Sequence, residues 1–553
     1  MTRAHTAVLL VLLTTFLLLA GASVFRDTPT RDEYLHYKYG EKILQLDPQR
    51  DEVLYDSKMP ISALNAIPWE IVKVAGWDSW ITDLAVKRFA GPHPDAETAR
   101  KVTKYVPLLP GKAVTMFFGV ILAGLVFQWA RELYGIQSGL VALAFYVFSP
   151  NILANTNLVT VDLYAALVVT LALYLYWKFW NLGGTKWTGL SALSLGIAQL
   201  AKYTCLLLYP IFLLIAAIRT LINGLQAKDW RTRLSPQRLR RALATSLIFI
   251  LLSLAVINVG FVFFRTFTPL EQYRFRSSRI QAVQDRLSFL GFLPVPLPYP
   301  YFDGIDYVAY HEETGTTFPQ VYLLGKLAPR GHGFPGYYFV ATLYKTPLAA
   351  QFIFWMALVM YLANVRREDF ARNELFLLLP IVFFTIYFNF FFRAQIGMRF
   401  FIVVLPLCHV FLSYPFRNWD RIGKSRKIIL GILLGYQMVS VLSYCPHFLS
   451  YFNELVPDRK MAYQILADSN LDWGQSQWYL NRYRALHPEA IFEPSSPVAG
   501  KIVVSVNDIV GLGDPDAYRW LRENFKPTAT IAYSYLVYEV SPEALAQVLQ
   551  RHP

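Results

Sequence analysis

With 553 residues, of which 55% are hydrophobic, 16% aromatic and only 16% charged, and a mean hydropathy of +0.33, the chain is too apolar for a soluble enzyme and reads as a membrane protein. A formal net charge of +14 would ordinarily invite a nucleic acid partner. Here the basic residues collect in short loops between apolar segments, where they orient a membrane protein, so no nucleic acid partner is expected. Cys205, Cys408 and Cys445 are scattered inside or at the edge of apolar runs, which offers neither a disulfide framework nor a metal-type spacing.

In chain order, runs able to cross about 30 Å of hydrocarbon at about 1.5 Å per helical residue fall near 7–25, 111–130, 136–155, 161–179, 187–203, 204–222, 243–264, 346–363, 374–392, 399–415 and 427–445. The expected fold class is a polytopic α-helical membrane protein with about eleven transmembrane helices. Arg3 ahead of the first run and Ala20-Gly21-Ala22-Ser23 behind it also suit a cleaved signal peptide. On either reading residue 32 emerges on the same side. Leu35, Tyr39, Ile43 and Leu46 then share one stripe at about 100° per residue, so a helix over 32–46 is expected at the membrane interface.

Loop charges orient the chain. Residues 223–242 carry Lys228, Arg231, Arg233, Arg238, Arg240 and Arg241, and residues 416–427 carry Arg417, Arg421, Lys424, Arg426 and Lys427. A third loop carries Arg366, Arg367 and Arg372 and falls on that same side, which is the cytoplasmic one. External segments are therefore the loops 26–110 and 265–345, the turns before Asp162, near Lys202 and over Arg393–Arg399, and the tail from Pro446. The chain divides into a membrane part, 1–445, and a tail, 446–553, that reads as a small extracytoplasmic α/β domain. The tail shows a strand over 501–506, a helix over 516–524, a second strand over 529–540 and a closing helix from Pro542.

The candidate chemistry lies on the external side. In "TRDEYLHY", Thr30 and Glu33 form a capping box, Thr30 accepting from the Glu33 amide while Glu33 reaches back to the Thr30 amide. Asp32 is left to serve the helix dipole or a reaction. Asp162 opens a span with no basic residue beside it in sequence, and a carboxylate there is costly unless it faces water or a site. Lys58 in "YDSKMPIS" and Lys202 in "LAKYTCLLLYP" supply cations on the same face, and "RAQIGMRFF" adds Arg393 and Arg399 at the rim. "LAPRGHGFPGYYFVATLYKTP" places Arg330, His332 and Lys345 among glycines and aromatics, a composition suited to a loop folding over an amphipathic ligand. No cofactor is demanded; His332 is the one candidate ligand for a divalent metal, with no second His or Cys at ligand spacing. In "ADSNLDWGQSQWYL" the oxygens of Asp468, Asn470 and Asp472 imitate the start of a calcium loop, but Gly474 is one place late and Tyr479 holds the twelfth position. Asp472 reads better as a helix N-cap, with Gln475 completing a capping box.

These elements together resemble the GT-C membrane glycosyltransferases, specifically the family 39-like group of protein O-mannosyltransferases and lipid A aminoarabinose transferases. Asp32-Glu33 matches the family's acidic pair, and Lys58-Met59-Pro60 resembles the Lys-Pro-Pro element that follows it. "LVTVDLYAALVVTLALY" with Asp162 resembles the second acidic loop. "LGIAQLAKYT", "YYFVATLYKTP" and "QIGMRFFIVVLP" carry the resemblance through Lys202, Lys345 and Arg399 across most of residues 1–445. "YFNELVPDRK" and "DSNLDWGQ" resemble a C-terminal domain found in many bacterial members. The chain departs from the aminoarabinose transferases at Ser57, where they have Glu, with Asp56 one place further back.

The resemblance implies a GT-C fold in the inner membrane and a sugar donor carried on polyprenyl phosphate. It also implies transfer, with inversion, to a hydroxyl of a protein or glycolipid acceptor. On that reading Asp32 is the general base, Asp162 orients the acceptor or the base, and Glu33 stands beside them. Lys58, Lys202 and Arg399 bind the donor phosphate, with Lys345 and Arg330 as second choices. A lipid-linked sugar transporter or flippase is the rival reading, expected to show paired half-repeats and mid-membrane ionisable residues. A non-catalytic scaffold is a third.

Overall fold

The apolar runs are helical in the computed structural model, which describes all residues except 25, 51–57, 90–95, 227–235, 317, 319 and 552–553. Asp56, Ser57, Lys228, Arg231 and Arg233 lie outside the described residues. Among the described residues, eight helices are long and apolar enough to cross a membrane: Arg3–Val24, Ala99–Tyr134, Asp162–Leu182, Tyr203–Ile222, Arg240–Gly260, Arg367–Phe390, Met398–Phe416 and Lys424–Leu442. The protein is a polytopic helical membrane protein.

Against about eleven expected spans, the described residues hold these eight, or up to ten when two bent pairs are each taken as one span. Ile136–Val147 and Pro150–Thr156 meet at 66°, and Tyr337–Lys345 and Leu348–Leu362 at 117°. Both bends fall at an X-Pro step. Proline disfavours the helical conformation in the residue before it, and Ser149 and Thr346 are accordingly extended ahead of Pro150 and Pro347. The run expected over 187–203 becomes the 15-residue helix Gly184–Ala198, which stops short of Lys202.

The helix Glu33–Leu44 does not present its apolar stripe to lipid as expected. Tyr39 and Ile43 are buried, while Leu35 and Leu46 are 39% and 59% exposed. The reason is the helix Ala63–Val74, which packs against it. Gly40 faces the Ser62 carbonyl so closely that any Cβ there would overlap it, and Tyr37, Ala66 and Trp69 share a small apolar cluster.

Two sheets are present among the described residues. A short hairpin pairs β1 (Tyr322–Leu323) with β2 (Lys326–Leu327). Near the C-terminus, β3 (Ile491–Phe492), β4 (Gly500–Ser505), β5 (Ala529–Ile531) and β6 (Tyr535–Val540) form a sheet in the order β3-β4-β6-β5, with β3–β4 parallel and the other pairs antiparallel. The single strand expected over 529–540 is in fact a hairpin, broken where Ala532 and Tyr533 take left-handed backbone angles and β5 turns back on β6. Alternation along the strands splits the sheet into two faces. Val503, Tyr535 and Val537 pack with Leu480 from the helix Gln477–Leu486. Ile502, Val504, Leu536 and Tyr538 join the main core that also contains Tyr444, Tyr451 and Phe452.

Candidate active site

The chain leaving the first helix turns into Glu33–Leu44 through half of the expected capping box. Glu33 Oε1 accepts from the Thr30 amide at 2.8 Å, but Thr30 Oγ1 is buried without a partner among the described residues. Glu33 is instead used from the other side. Its Oε2 accepts from the Val159 amide at 3.0 Å and lies 3.3 Å from Lys112 Nζ, with both side chains almost wholly buried. Glu33 therefore fastens the start of this helix to two neighbouring segments and does not face the cavity beside it.

That cavity has a volume of 1420 Å³ and takes its polar wall from Asp32, His36, Asp162, Lys202 and Arg399. Asp32 occupies the N-cap position of its helix, and Arg399 Nη1 donates to its Oδ2 at 2.8 Å. Asp162 opens the helix Asp162–Leu182 and is ion-paired with Lys202. Lys202 sits in extended backbone between two helices, which aims its side chain back across the break. Phe400 lies between the two cations, 4.3 Å from Lys202 Nζ and 5.0 Å from the Arg399 guanidinium. Phe390, Phe391, Leu206 and Leu207 give another part of the wall an apolar surface.

His36 was not anticipated as a site residue, although it stands one helical turn beyond Asp32. Burial lowers its pKa to about 4; Asp32 and Asp162 oppose that shift, and Arg399 and Lys202 add to it. It is thus a neutral imidazole at physiological pH. Because the folded pKa lies below the unfolded value of 6.5, the unfolded chain binds this proton first, and stability falls as pH drops from 6.5 towards 4. Asp468 and Asp472 act in the opposite sense over the same window, so the His36 contribution is read as a difference: acidification from pH 6.5 to 4 should lower the melting temperature of His36→Gln less, or raise it more, than that of the wild type.

A further part of the wall comes from the C-terminal part of the chain, through Asp468, Asp472, Trp473, Asn507 and Asp508. Burial raises Asp468 and Asp472 to about 6 each, with Arg399 pulling Asp468 the other way. Asp472 is not the helix N-cap expected. It accepts from the Gly474 amide at 2.9 Å in a local turn, and the helix starts only at Gln477 because Gly474 has a left-handed φ of 89°. Gln475 completes no capping box; its Oε1 accepts from the Trp473 amide at 2.7 Å.

Three other expected residues lie elsewhere. Lys58 is buried, with its Nζ 3.7 Å from Asp303 Oδ2, and the cavity is lined by its neighbour Met59 instead. Lys345 is also buried, donating to the carbonyls of Leu449 and Asn470 at 2.7 and 2.6 Å. Neither Lys345 nor the exposed Arg330 is part of the cavity wall. His332 does line it, but its Nδ1 lies 3.1 Å from the Arg330 carbonyl, and among the described residues no group of three His, Cys, Asp or Glu side chains is placed to hold a metal. Sequence proximity could not have revealed the C-terminal wall. Its one signal was the run of oxygen-bearing side chains in "DSNLDWGQ".

Residues 108–231 match the family model described as dolichyl-phosphate-mannose-protein mannosyltransferase. No curated protein matches. Among solved structures the chain is similar to ArnT from Cupriavidus metallidurans bound to undecaprenyl phosphate, at 13% identity, covering 82% of this chain and 68% of that one, with a TM-score of 0.45. It is also similar to the archaeal oligosaccharyltransferase AglB from Archaeoglobus fulgidus in complex with an inhibitory peptide and a dolichol-phosphate, at 12% identity, 80% and 54% coverage and a TM-score of 0.43. The chain spans about half the length of that oligosaccharyltransferase. The family match supports the resemblance to GT-C, family 39-like membrane glycosyltransferases that use lipid-linked donors.

Proposed function

We propose that this protein transfers a sugar from a polyprenyl-phosphate donor to a hydroxyl of a protein or glycolipid acceptor, at the external face of the inner membrane and with inversion. The observation that carries this reading is the pair of carboxylate–cation contacts, Asp32 with Arg399 and Asp162 with Lys202, on one cavity that also has an apolar wall. A lipid phosphate needs fixed cations beside an apolar surface, and an acceptor hydroxyl needs a carboxylate. The basic loops support the sidedness, with residues 446–553 forming an extracytoplasmic domain.

In this mechanism the donor phosphate competes with Asp32 for Arg399 and with Asp162 for Lys202. The freed Asp32 takes the proton of the acceptor hydroxyl as its oxygen bonds to the anomeric carbon. The bond from that carbon to the phosphate oxygen breaks on the opposite side, and its electron pair leaves with the polyprenyl phosphate. Lys202 and Arg399 stabilise the growing phosphate charge, and Asp162 orients the acceptor.

Incubating purified protein in liposomes made with a membrane extract, as the source of protein and glycolipid acceptors, and labelled polyprenyl-phosphate sugar tests the reading. Label on a protein or glycolipid is the expected product. Intact donor moved across the bilayer would establish the transporter instead, and label left where it started would overturn both. Lys202→Ala should weaken donor binding by about 10- to 100-fold, the loss of one charge-assisted hydrogen bond of about 1.5–3 kcal/mol. Titration with a polyprenyl monophosphate measures it, and an unchanged Kd would remove Lys202 from the phosphate site.

A further inference from the structure

The Asp32–Arg399 pair joins two segments that are far apart in sequence, and a single C-terminal loop, residues 467–475, holds both. On the Arg399 side, Ser469 Oγ donates to the Ile396 carbonyl at 2.6 Å, and Asn470 Oδ1 accepts from the Met398 amide at 3.2 Å. Gly397 permits this approach, since a Cβ there would collide with Ser469 Oγ. On the Asp32 side, the Thr28 amide donates to the Gln475 carbonyl at 2.7 Å, and the Arg31 amide to the Trp473 carbonyl at 3.3 Å. Between these two sets of bonds the Trp473 ring lies 3.9 Å from the Arg399 guanidinium.

The loop is itself anchored. Asn470 Nδ2 donates to Tyr337 Oη at 2.8 Å, Lys345 Nζ donates to the Asn470 carbonyl, and the Asp468 amide donates to Asn507 Oδ1 at 2.8 Å. Asp468 takes a left-handed φ of 56°, a conformation uncommon for a residue with a side chain unless its surroundings impose it.

We propose that loop 467–475 is an integral part of the candidate active site, with Trp473 and Asn470 as positioning residues. Trp473 fixes the plane of the Arg399 guanidinium, and Asn470 fixes the backbone that carries it. The C-terminal α/β unit thereby sets how Arg399 meets an incoming phosphate. This inference rests on the donor-phosphate reading above for its chemistry, but the clamp on the two backbone segments stands apart from it.

Two measurements on the full-length protein separate these points. Trp473→Leu should weaken binding of a polyprenyl monophosphate by about tenfold, the loss of a desolvated cation–π contact, while Trp473→Phe, which keeps an aromatic face, should hold it within about twofold. Asn470→Ala should raise amide hydrogen exchange at 28–32 and 396–400, with the strand Tyr535–Val540 unchanged as the control for global unfolding. Wild-type affinity in Trp473→Leu alongside lost affinity in Arg399→Ala would overturn the role of Trp473. Unchanged exchange at both segments would overturn the clamp. If Arg399→Ala itself binds normally, the donor-phosphate reading fails, and the exchange result still decides whether the loop holds the two segments.

Discussion

Asp32→Asn is expected to lower the rate of sugar transfer by about 10²- to 10⁴-fold, the usual contribution of a positioned general base. The substitution keeps the size of the side chain and leaves an oxygen able to accept from Arg399, so the fold of the helix start is preserved. It removes the capacity proposed for Asp32, to take a proton from the acceptor. Donor binding should move the other way. In the resting site Arg399 spends its Nη1 on Asp32 at 2.8 Å, and a neutral partner releases it more readily to a phosphate. A variant with near-normal transfer, measured with labelled lipid-linked sugar, would rule Asp32 out as the base.

Glu33→Gln is expected to act on stability, with a loss of about 3–5 kcal/mol, because removing one partner of a buried ion pair strands the other. Lys112 is 1% exposed and Glu33 is fully buried, so neither charge can reach water as compensation. The amide can still accept from Thr30 or Val159, but it cannot neutralise Lys112. Unfolding of detergent-solubilised protein measures the effect, and Glu33→Gln combined with Lys112→Met should recover most of it. A single variant as stable as the wild type would show that the pair contributes nothing. The two neighbouring acids thus separate experimentally: one substitution costs rate and the other costs the fold.

Local signals in the sequence carry much of the fold, although the capping box at Asp472 and Gln475 fails because Gly474 turns left-handed before the helix begins. The apolar runs, the chain reversal near Lys202 and the back-reach of Glu33 to Thr30 depend on residues close together in the chain, where helical period and capping chemistry decide the outcome. A proline step inside an apolar run does not reveal its angle, so the bends after Phe148 and Lys345 were not legible in the sequence. Lys58 and Lys345 show another limit. A lysine among apolar residues must find an anion, a set of carbonyls or a ligand, and sequence alone does not distinguish these. Lys58 found Asp303, and Lys345 found the carbonyls of Leu449 and Asn470. Asp32, Asp162, Lys202 and Arg399 do converge on one cavity, but the pairing of each acid with its own cation, and the part played by Trp473, needed the third dimension.

The ion pair between Asp32 and Arg399 closes across 367 positions of sequence. A ribosome working at about 5–20 residues per second needs about 20–70 s to cover that interval. Throughout it, the emerging chain carries the acid without its arginine, and the loop that stacks on that arginine is made later still. The candidate site therefore belongs to the finished protein alone. A nascent chain halted short of Arg399 holds both carboxylates and Lys202 but only one of the two cations proposed for a phosphate, so the full set proposed to engage a lipid-linked sugar is assembled late in synthesis.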